Sequence, residues 1–386
     1  MQIDSNYVTK ILADLVRINS INPTFSDGST NEREIAEYTA DALDQLGMEV
    51  STHEPEPNRM SVVGHLPGAG PGPTLMLYAH MDTVGVDGMT DPFAAIVRGG
   101  RLYGRGSYDM KGGLAACIGA AKALSHAGAQ LEGDVLVTAV ADEEVASIGM
   151  SEVLLHHSAD AAIVTEPTDL QVCLAHKGFC WIEVETEGRA AHGSRFEEGI
   201  DANMRMGRFL AELDHLERAL RSSPQHRLVG PPSLHAGVLR GGTGASIYAA
   251  RCHLEIERRT IPGESEAEAV AEVQDIVQRL TQADPTFKAT VRPLLTREPF
   301  EATPDASIVR TVASATAEVL HREPAYVGIS YWMDAALLAA AGVATVVIGP
   351  AGAGAHADDE WVEMDSVVQL ADILARAAVA YCSAAA

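Results

Sequence analysis

The sequence predicts an α/β fold, a mixed and mostly parallel sheet flanked by helices, with a second domain inserted into the first. The chain has 386 residues, which is long for a single hydrophobic core. Short runs of apolar residues alternate with segments of helical periodicity, and such runs are typical of strands buried on both faces. The runs cover residues 61–66, 74–79, 135–140 and 161–165.

Helices are predicted between and around these strands. Apolar residues recur at helical spacing over residues 11–16. Ser29 and Glu32 fit a capping box that begins a second helix, and Gly47 ends it. A third helical stretch covers residues 113–126, between two of the predicted strands. This alternation is typical of a sheet with parallel neighbours.

The middle of the chain has a different pattern. Polar and apolar residues alternate at 181–185 and 253–257, as in strands with one face in water, and helical periodicity appears at 202–220 and 265–280. The α/β pattern then returns, with a helix near 306–320, a buried strand at 344–348 and a final helix. We therefore expect one domain from residues 1–176 and 292–386, and an inserted α+β domain from residues 177–291.

Composition and charge exclude several classes of function. The formal net charge is −25, which argues against nucleic acid and anionic membranes as partners. No apolar stretch approaches the length of a membrane span. The five cysteines form no CxxC pair and are odd in number, so a disulfide framework is not expected. These observations favour a cytoplasmic protein.

Five short segments carry potential metal ligands. Each follows an apolar run or lies in a glycine-rich or acidic loop: His80-Met81-Asp82, Asp109, Glu143-Glu144, Glu166 and His356. Taken singly, each segment has an ordinary interpretation, such as a polar strand exit, a glycine turn or a solvated acidic turn. The glycine-rich loop around Asp109 also resembles a phosphate cradle, but it lacks the P-loop ending. The carboxyl ends of parallel strands lie at the same edge of a sheet, so these side chains can come together. The set therefore predicts a site with nitrogen and oxygen ligands for two zinc-like ions.

The order of these segments resembles one enzyme family. The stretches LYAHMDTV, GRGSYDMKGG, ADEE, VTEPT and GAGAHADDE are similar to motifs of the zinc exopeptidases and deacylases that include acetylornithine deacetylase, succinyl-diaminopimelate desuccinylase, carboxypeptidase G and the aminoacylases. The resemblance covers essentially the whole chain. It implies a zinc-exopeptidase-like catalytic domain and an inserted dimerisation or lid domain.

The resemblance also implies a role for each segment. Asp109 would bridge two metals, with His80 and Glu166 completing one site and Glu144 and His356 the other. Glu143 would be the general base and Asp82 would orient His80. The family also has a cis peptide bond after the bridging aspartate, here between Asp109 and Met110.

Substrate residues are expected in and near the inserted domain. His192, in GRAAHGS, matches a family histidine that stabilises the oxyanion, often in the partner subunit's site, and Arg259 matches an arginine that binds a substrate carboxylate. A surface histidine and a structural ion pair are the alternatives for these two. Tyr331 and Trp332 replace the small residues usual before Asp334, which indicates a larger or aromatic acyl group or side chain, or else ordinary packing.

The predicted function is a metal-dependent amidohydrolase that cleaves N-acyl amino acids and works as a homodimer. Two Zn²⁺ ions per subunit are expected, with Co²⁺ or Mn²⁺ as substitutes. The alternatives are a dipeptidase or glutamate-type carboxypeptidase with the same dizinc centre, and an inactive binding protein on this scaffold. The expected partners are a small N-acyl amino acid or short peptide, and no nucleic acid or membrane.

Overall fold

The computed structural model describes residues 2–126, 128 and 131–383, and the chain divides into two compact units. The first unit comprises Met1–Leu174, Ala302–Val327 and Met333–Ala386, and the second comprises Ala175–Glu301 and Gly328–Trp332. The second unit is thus inserted into the chain of the first. It reaches ten residues beyond the expected end at residue 291, because the last long strand of its sheet continues to Arg297.

The described residues form a helix at each position where the sequence predicts one, and two further helices that it does not predict. The helices are α1 (Ser5–Arg17), α2 (Arg33–Asp44), α3 (Gly112–His126), α4 (Ile148–His156), α5 (Ala202–Arg221), α6 (Glu266–Ala283), α7 (Ser307–Leu320), α8 (Ala335–Ala340) and α9 (Met364–Cys382). Among the described residues, no helix combines the length and the apolar character that a membrane crossing requires.

The strands are numbered in chain order. They are β1 (Glu49–His53), β2 (Ser61–Leu66), β3 (Leu75–His80), β4 (Ile96–Arg98), β5 (Arg101–Tyr103), β6 (Val135–Val140), β7 (Ala161–Val164), β8 (Val172–His176), β9 (Gly178–Glu187), β10 (Ser233–Gly241), β11 (Arg251–Thr260), β12 (Ala289–Arg297), β13 (Phe300–Glu301), β14 (Tyr326–Ile329), β15 (Ala344–Val347), β16 (Gly352–Ala353) and β17 (Trp361–Glu363).

The main sheet of the first unit confirms the predicted α/β class. Its strand order is β1-β2-β6-β3-β7-β15-β8. The pairs β6–β3, β3–β7 and β7–β15 are parallel, whereas the pairs nearer the two edges are antiparallel. Every residue of β3, β6 and β7 is buried, as the continuous apolar runs predict, and α3 packs on β3 between α1 and α9.

One predicted helix start is wrong. Helix α2 begins at Arg33, and Glu32 at its N-cap position makes no capping hydrogen bond through its side chain. Ser29 instead donates its hydroxyl to the carbonyl of Ser26. The carboxylate of Glu32 is fully buried and binds Arg59, so a tertiary ion pair replaces the local cap.

The second unit contains an antiparallel sheet in the order β10-β11-β9-β12. Burial alternates along β9 and β11, as the alternating sequence predicts, and their buried side chains form one core with α5 and α6. Helix α6 begins with a complete capping box between Ser265 and Glu268. The predicted elements of this segment are therefore present.

Candidate metal centre

The register of the parallel strands places three of the predicted segments at one edge of the main sheet. His80, the last residue of β3, is level with Val140 on β6, and Tyr78 is level with Val164 on β7. Glu143 and Glu144 follow β6 by three and four residues, and Glu166 follows β7 by two. Ligand sites of α/β sheets lie at this carboxyl edge.

His80, Asp109 and Glu166 form one group of potential ligands. The Nε2 atom of His80 lies 3.2 Å from Oδ1 of Asp109 and 3.6 Å from Oε1 of Glu166. Both His80 and Glu166 are buried. Asp109 lies in the irregular segment before α3, and the peptide bond between Asp109 and Met110 is cis, as the resemblance implies.

Asp109, Glu144 and His356 form a second group that shares Asp109 with the first. The Nε2 atom of His356 lies 3.3 Å from Oδ2 of Asp109 and 3.1 Å from Oε2 of Glu144. Hydrogen bonds to Asp109 and Glu144 raise the pKa of His356 to about 10. The two carboxylate oxygens of Asp109 thus face different histidines, which is the arrangement that a bridging ligand needs.

The residues of both groups fit a pair of divalent cations. The ligand atoms within each group all lie within 4.8 Å of one another. Oε1 of Glu144 and Oε1 of Glu143 are buried and have no hydrogen-bond partner among the described residues. Burial raises the pKa of Glu143, Glu144 and Glu166 above the usual range, so their ionised forms need a compensating positive charge. Imidazole nitrogens and carboxylate oxygens without cysteine suit zinc, cobalt or manganese.

Asp82 has a different set of contacts from the one expected. Nδ1 of His80 lies 3.0 Å from the main-chain oxygen of Asp82 and 3.6 Å from its carboxylate, so the carbonyl is the nearer partner of the ring. The carboxylate of Asp82 instead accepts the backbone N–H groups of Glu143 and Glu144, at 3.1 and 3.2 Å. Asp82 therefore links the histidine strand to the diglutamate segment.

Glu360 supports the Asp109 loop, a role that the sequence did not indicate. Its buried carboxylate accepts the backbone N–H groups of Gly106, Tyr108 and Asp109 at 2.9, 2.9 and 3.0 Å. It also accepts a hydrogen bond from Nη1 of Arg105 at 2.7 Å. These four donors fix the backbone from which the Asp109 side chain projects.

Another feature that the sequence did not indicate is the pair of Tyr78 and Asp334, which lies beside the Glu143–Glu144 segment. Tyr78 is fully buried on β3 and donates its hydroxyl to Oδ2 of Asp334 at 2.5 Å. Burial raises the pKa of Asp334 to about 6. The charge of Asp334 also contributes to the raised pKa of Glu143, so the two carboxyl groups share one environment.

The predicted oxyanion and carboxylate-binding residues belong to the second unit. His192 is exposed, and its Nδ1 lies 2.9 Å from the hydroxyl of Ser194. Arg259 is half-buried on β11, where its Nε donates to Glu257 at 2.5 Å and its guanidinium carbon lies 5.4 Å from the ring centroid of Phe179. The neighbouring Arg258 is buried and paired with glutamates, so Arg259 is the more accessible of the two.

Tyr331 and Trp332 differ in their surroundings. Tyr331 is 41% exposed. Trp332 is half-buried, and its indole N–H donates to the carbonyl of Glu298 at 3.1 Å. Its ring stands edge-on to those of His176 and Phe179. These contacts within the second unit hold the Trp332 ring in place, whereas Tyr331 is the more exposed of the two.

The chain matches one family of known proteins. The sequence pattern of peptidase family M20/M25/M40 matches residues 76–380, which is most of the chain. The chain belongs to this family. It is therefore a hydrolase of the M20 family, and both ligand groups lie within the matched region.

Individual relatives agree over nearly the full length. An acetylornithine deacetylase of Myxococcus xanthus is 32% identical, over 88% of this chain and 86% of that protein. An N-formyl-4-amino-5-aminomethyl-2-methylpyrimidine deformylase of Bacillus subtilis (strain 168) is 28% identical, over 92% of this chain and 90% of that protein. Among solved structures, the YXEP protein of Bacillus subtilis, described as a dinuclear metal binding peptidase of the M20 family, has the same fold, with a TM-score of 0.75 at 16% identity over 98% of both chains.

Proposed function

We propose that the protein is a metal-dependent amidohydrolase that cleaves N-acyl amino acids with a free carboxylate. The observation that carries this proposal is the pair of ligand groups joined by Asp109, with the carboxylate of Glu143 buried beside them. The names of two relatives describe removal of an acetyl and of a formyl group, which favours a deacylase over a dipeptidase or carboxypeptidase. All five ligands and the base are present, which argues against an inactive binding protein.

Two zinc ions are the proposed cofactors. His80, Asp109 and Glu166 would hold one ion, and Asp109, Glu144 and His356 would hold the other. When bound, such ions lower the pKa of water and act as a Lewis acid toward the substrate carbonyl. Cobalt or manganese would be accepted by the same nitrogen and oxygen ligands.

Glu143 is the proposed general base. Its Oε1 atom has no donor among the described residues, so it is available to accept a proton from the attacking water. The same proton is then given to the leaving nitrogen as the carbon–nitrogen bond breaks, and the products are a carboxylic acid and an amine. Asp82 holds the backbone of Glu143 through its N–H group.

The second unit would supply recognition of the substrate. We assign Arg259 to the substrate carboxylate. Its Nε donates to Glu257, which fixes the orientation of the guanidinium and leaves its two terminal nitrogens to bind a carboxylate. His192 would donate a hydrogen bond to the developing oxyanion. Tyr331 and Trp332 would bound the acyl group or side chain, and the inserted domain would form the interface of a homodimer.

A single substitution separates the base from the metal ligands. We expect Glu143→Gln to retain two metal ions per chain and to lower turnover by about 10²–10⁴-fold, because only proton transfer is lost. Metal content by plasma mass spectrometry and turnover by amine release measure the two effects. Glu37→Gln, on the exposed surface of α2, is the matched control and should change neither. Full activity in a chelated, metal-free preparation would contradict the mechanism.

A substrate screen decides between the related activities. It crosses formyl, acetyl, succinyl and benzoyl groups with a panel of amino acids, and it includes dipeptides. Hydrolysis of N-acyl amino acids well above that of dipeptides supports the deacylase. Preference for dipeptides would assign the chain to the peptidases with the same centre.

A further inference from the structure

A network of hydrogen-bonded, buried polar side chains extends from the proposed base into the interior of the first unit. It consists of Asp82, Asn22, Asp142, Arg59 and Glu32, and each of these residues is less than a tenth exposed. None of them is a proposed metal ligand. They come from separate parts of the sequence, so their contacts exist only in the folded chain.

Asn22 joins two carboxylates through one amide group. Its Nδ2 atom donates to Oδ2 of Asp82 at 2.9 Å and to Oδ1 of Asp142 at 2.9 Å. Both hydrogens of the amide are therefore used. Its Oδ1 atom accepts the backbone N–H of Thr24 at 3.1 Å, which fixes the orientation of the side chain.

Arg59 supplies the positive charge of this network. Its Nε and Nη2 atoms bind the two carboxylate oxygens of Glu32, each at 2.8 Å, in a bidentate pair. Nη2 also donates to Oδ1 of Asp142. A buried carboxylate needs a paired charge or several donors, and Arg59 serves two carboxylates at once.

Asp142 begins the turn that carries the proposed base. Its φ of 70° lies in the left-handed region, and its carbonyl accepts the N–H groups of Ala146 and Ser147 at 3.2 and 2.6 Å. Next to it, Glu143 and Glu144 donate their own N–H groups to Asp82. The backbone of this segment is thus held from two sides, by Asp82 directly and by Asp142 through Asn22 and Arg59.

We propose that Arg59, paired with Glu32, is a positioning residue that fixes the Asp142–Glu144 backbone and so the orientation of Glu143. The link to catalysis rests on the proposed function of Glu143, whereas the effect on the backbone does not. Loss of Arg59 removes the donor that Asp142 and Glu32 share, so the Asp142 carboxylate has to turn toward water to replace that hydrogen bond. This change loosens the segment that Asp82 and Asn22 hold on the other side.

Hydrogen–deuterium exchange tests the backbone effect without any substrate. In Arg59→Met we expect the amides of Glu143 and Glu144 to exchange at least about tenfold faster, because the backbone of this segment loses one of its two supports. This factor corresponds to a loss of about 1.4 kcal/mol of local stability. Arg59→Lys keeps the charge without the bidentate geometry and should fall between Arg59→Met and the wild type. The control is Arg33→Met, since Arg33 follows Glu32 in sequence but binds Glu54 and Asn58 at the surface.

Kinetics and metal content test the catalytic consequence. On the best substrate of the screen, Arg59→Met should lower kcat about tenfold or more with KM within about twofold and both metal ions retained, and Arg59→Lys should restore part of kcat. Should Arg59→Met fail to fold, Arg59→Lys and Glu32→Gln carry the same comparison. The proposal is overturned if the amides of Glu143 and Glu144 in Arg59→Met exchange at the wild-type rate. It is also overturned if exchange in Arg59→Met is faster by the same factor throughout the first unit. If no substrate is hydrolysed, the proposed function fails while the exchange result still decides the role of Arg59 in the backbone.

Discussion

At the scale of single residues, Glu360 shows how a carboxylate organises a ligand loop without being a ligand. It lies four residues after His356, yet its four hydrogen bonds go to Arg105, Gly106, Tyr108 and Asp109. Three of these donors are backbone N–H groups in a segment that is buried or half-buried, where an unsatisfied donor is costly. Glu360 therefore determines where Asp109 sits between the two histidines.

We predict that Glu360→Gln destabilises the protein by about 3–5 kcal/mol, the usual effect of removing one partner of a buried ion pair. The amide nitrogen would face groups that are themselves donors, so the loop around Asp109 would shift and metal affinity would fall. Urea unfolding and metal content of the purified variant measure both effects. Glu363→Gln is the control, because that side chain is 49% exposed and lies 3.9 Å from Arg101; a loss of equal size there would show that the effect is not specific to the loop.

The motif residues were predictable from sequence, whereas their supporting residues were not. His80, Glu144 and Glu166 follow apolar runs, and that position alone indicates a sheet edge. Asn22 and Arg59 carry no such signal, since Asn22 meets Asp142 across 120 residues of chain and Arg59 meets it across 83. Contacts of this kind depend on the complete fold.

At the scale of elements, strand prediction succeeded where burial is complete and was less accurate at boundaries. The apolar runs of β3, β6 and β7 identify buried strands because polar residues are excluded from both faces. The start of α2 was wrong because Glu32 is used by Arg59 instead of the local backbone. The expected domain boundary at residue 291 falls inside β12, whose pairing with β9 continues to Arg297 past an irregularity in register.

Helix α3 makes a close approach to the end of β7 that a matched pair of substitutions tests. A Cβ atom on Gly113 would lie 2.4 Å from Oγ1 and 2.5 Å from the carbonyl oxygen of Thr165, the residue before Glu166. We expect Gly113→Ala to destabilise the protein by about 1–3 kcal/mol. Gly207 on α5 has nothing within 4 Å of such an atom, so Gly207→Ala should stabilise the protein by about 0.5–1 kcal/mol through helix propensity. Thermal and urea unfolding measure both, and equal effects would contradict the close packing of α3 on β7.

At the scale of the whole molecule, the inserted domain was predicted because the sequence contains two different patterns of apolar residues. Strands of the first unit are buried on both faces, whereas β9 and β11 of the second unit alternate. The candidate metal centre draws on segments from both sides of the insertion, since His356 follows it and the other potential ligands precede it. The assignment of the ligands therefore rests on the resemblance of the motif order to the family, and it stays a prediction, as does the dimerisation or lid role of the inserted domain.

Metal removal should affect the stability of the first unit specifically. Asp109, Glu143, Glu144 and Glu166 lie together there, and burial and the charge of Glu166 raise the pKa of Glu143. Ions that bind only the folded state stabilise it by about 2.7 kcal/mol when present at 100 times their dissociation constant. We therefore expect chelation to lower the urea midpoint and to speed hydrogen exchange most at the carboxyl ends of β3, β6 and β7.

The second unit is the internal control in the same sample, because among the described residues the groups that could hold an ion all lie in the first unit. Exchange in β9, β11 and α5 should change much less than exchange at the ligand-bearing strand ends. Addition of zinc to the chelated protein should restore both the midpoint and the exchange pattern, since the ligands become bound again. An unchanged midpoint after complete removal of metal, or an equal change in both units, would show that these carboxylates are accommodated in the fold without a cation.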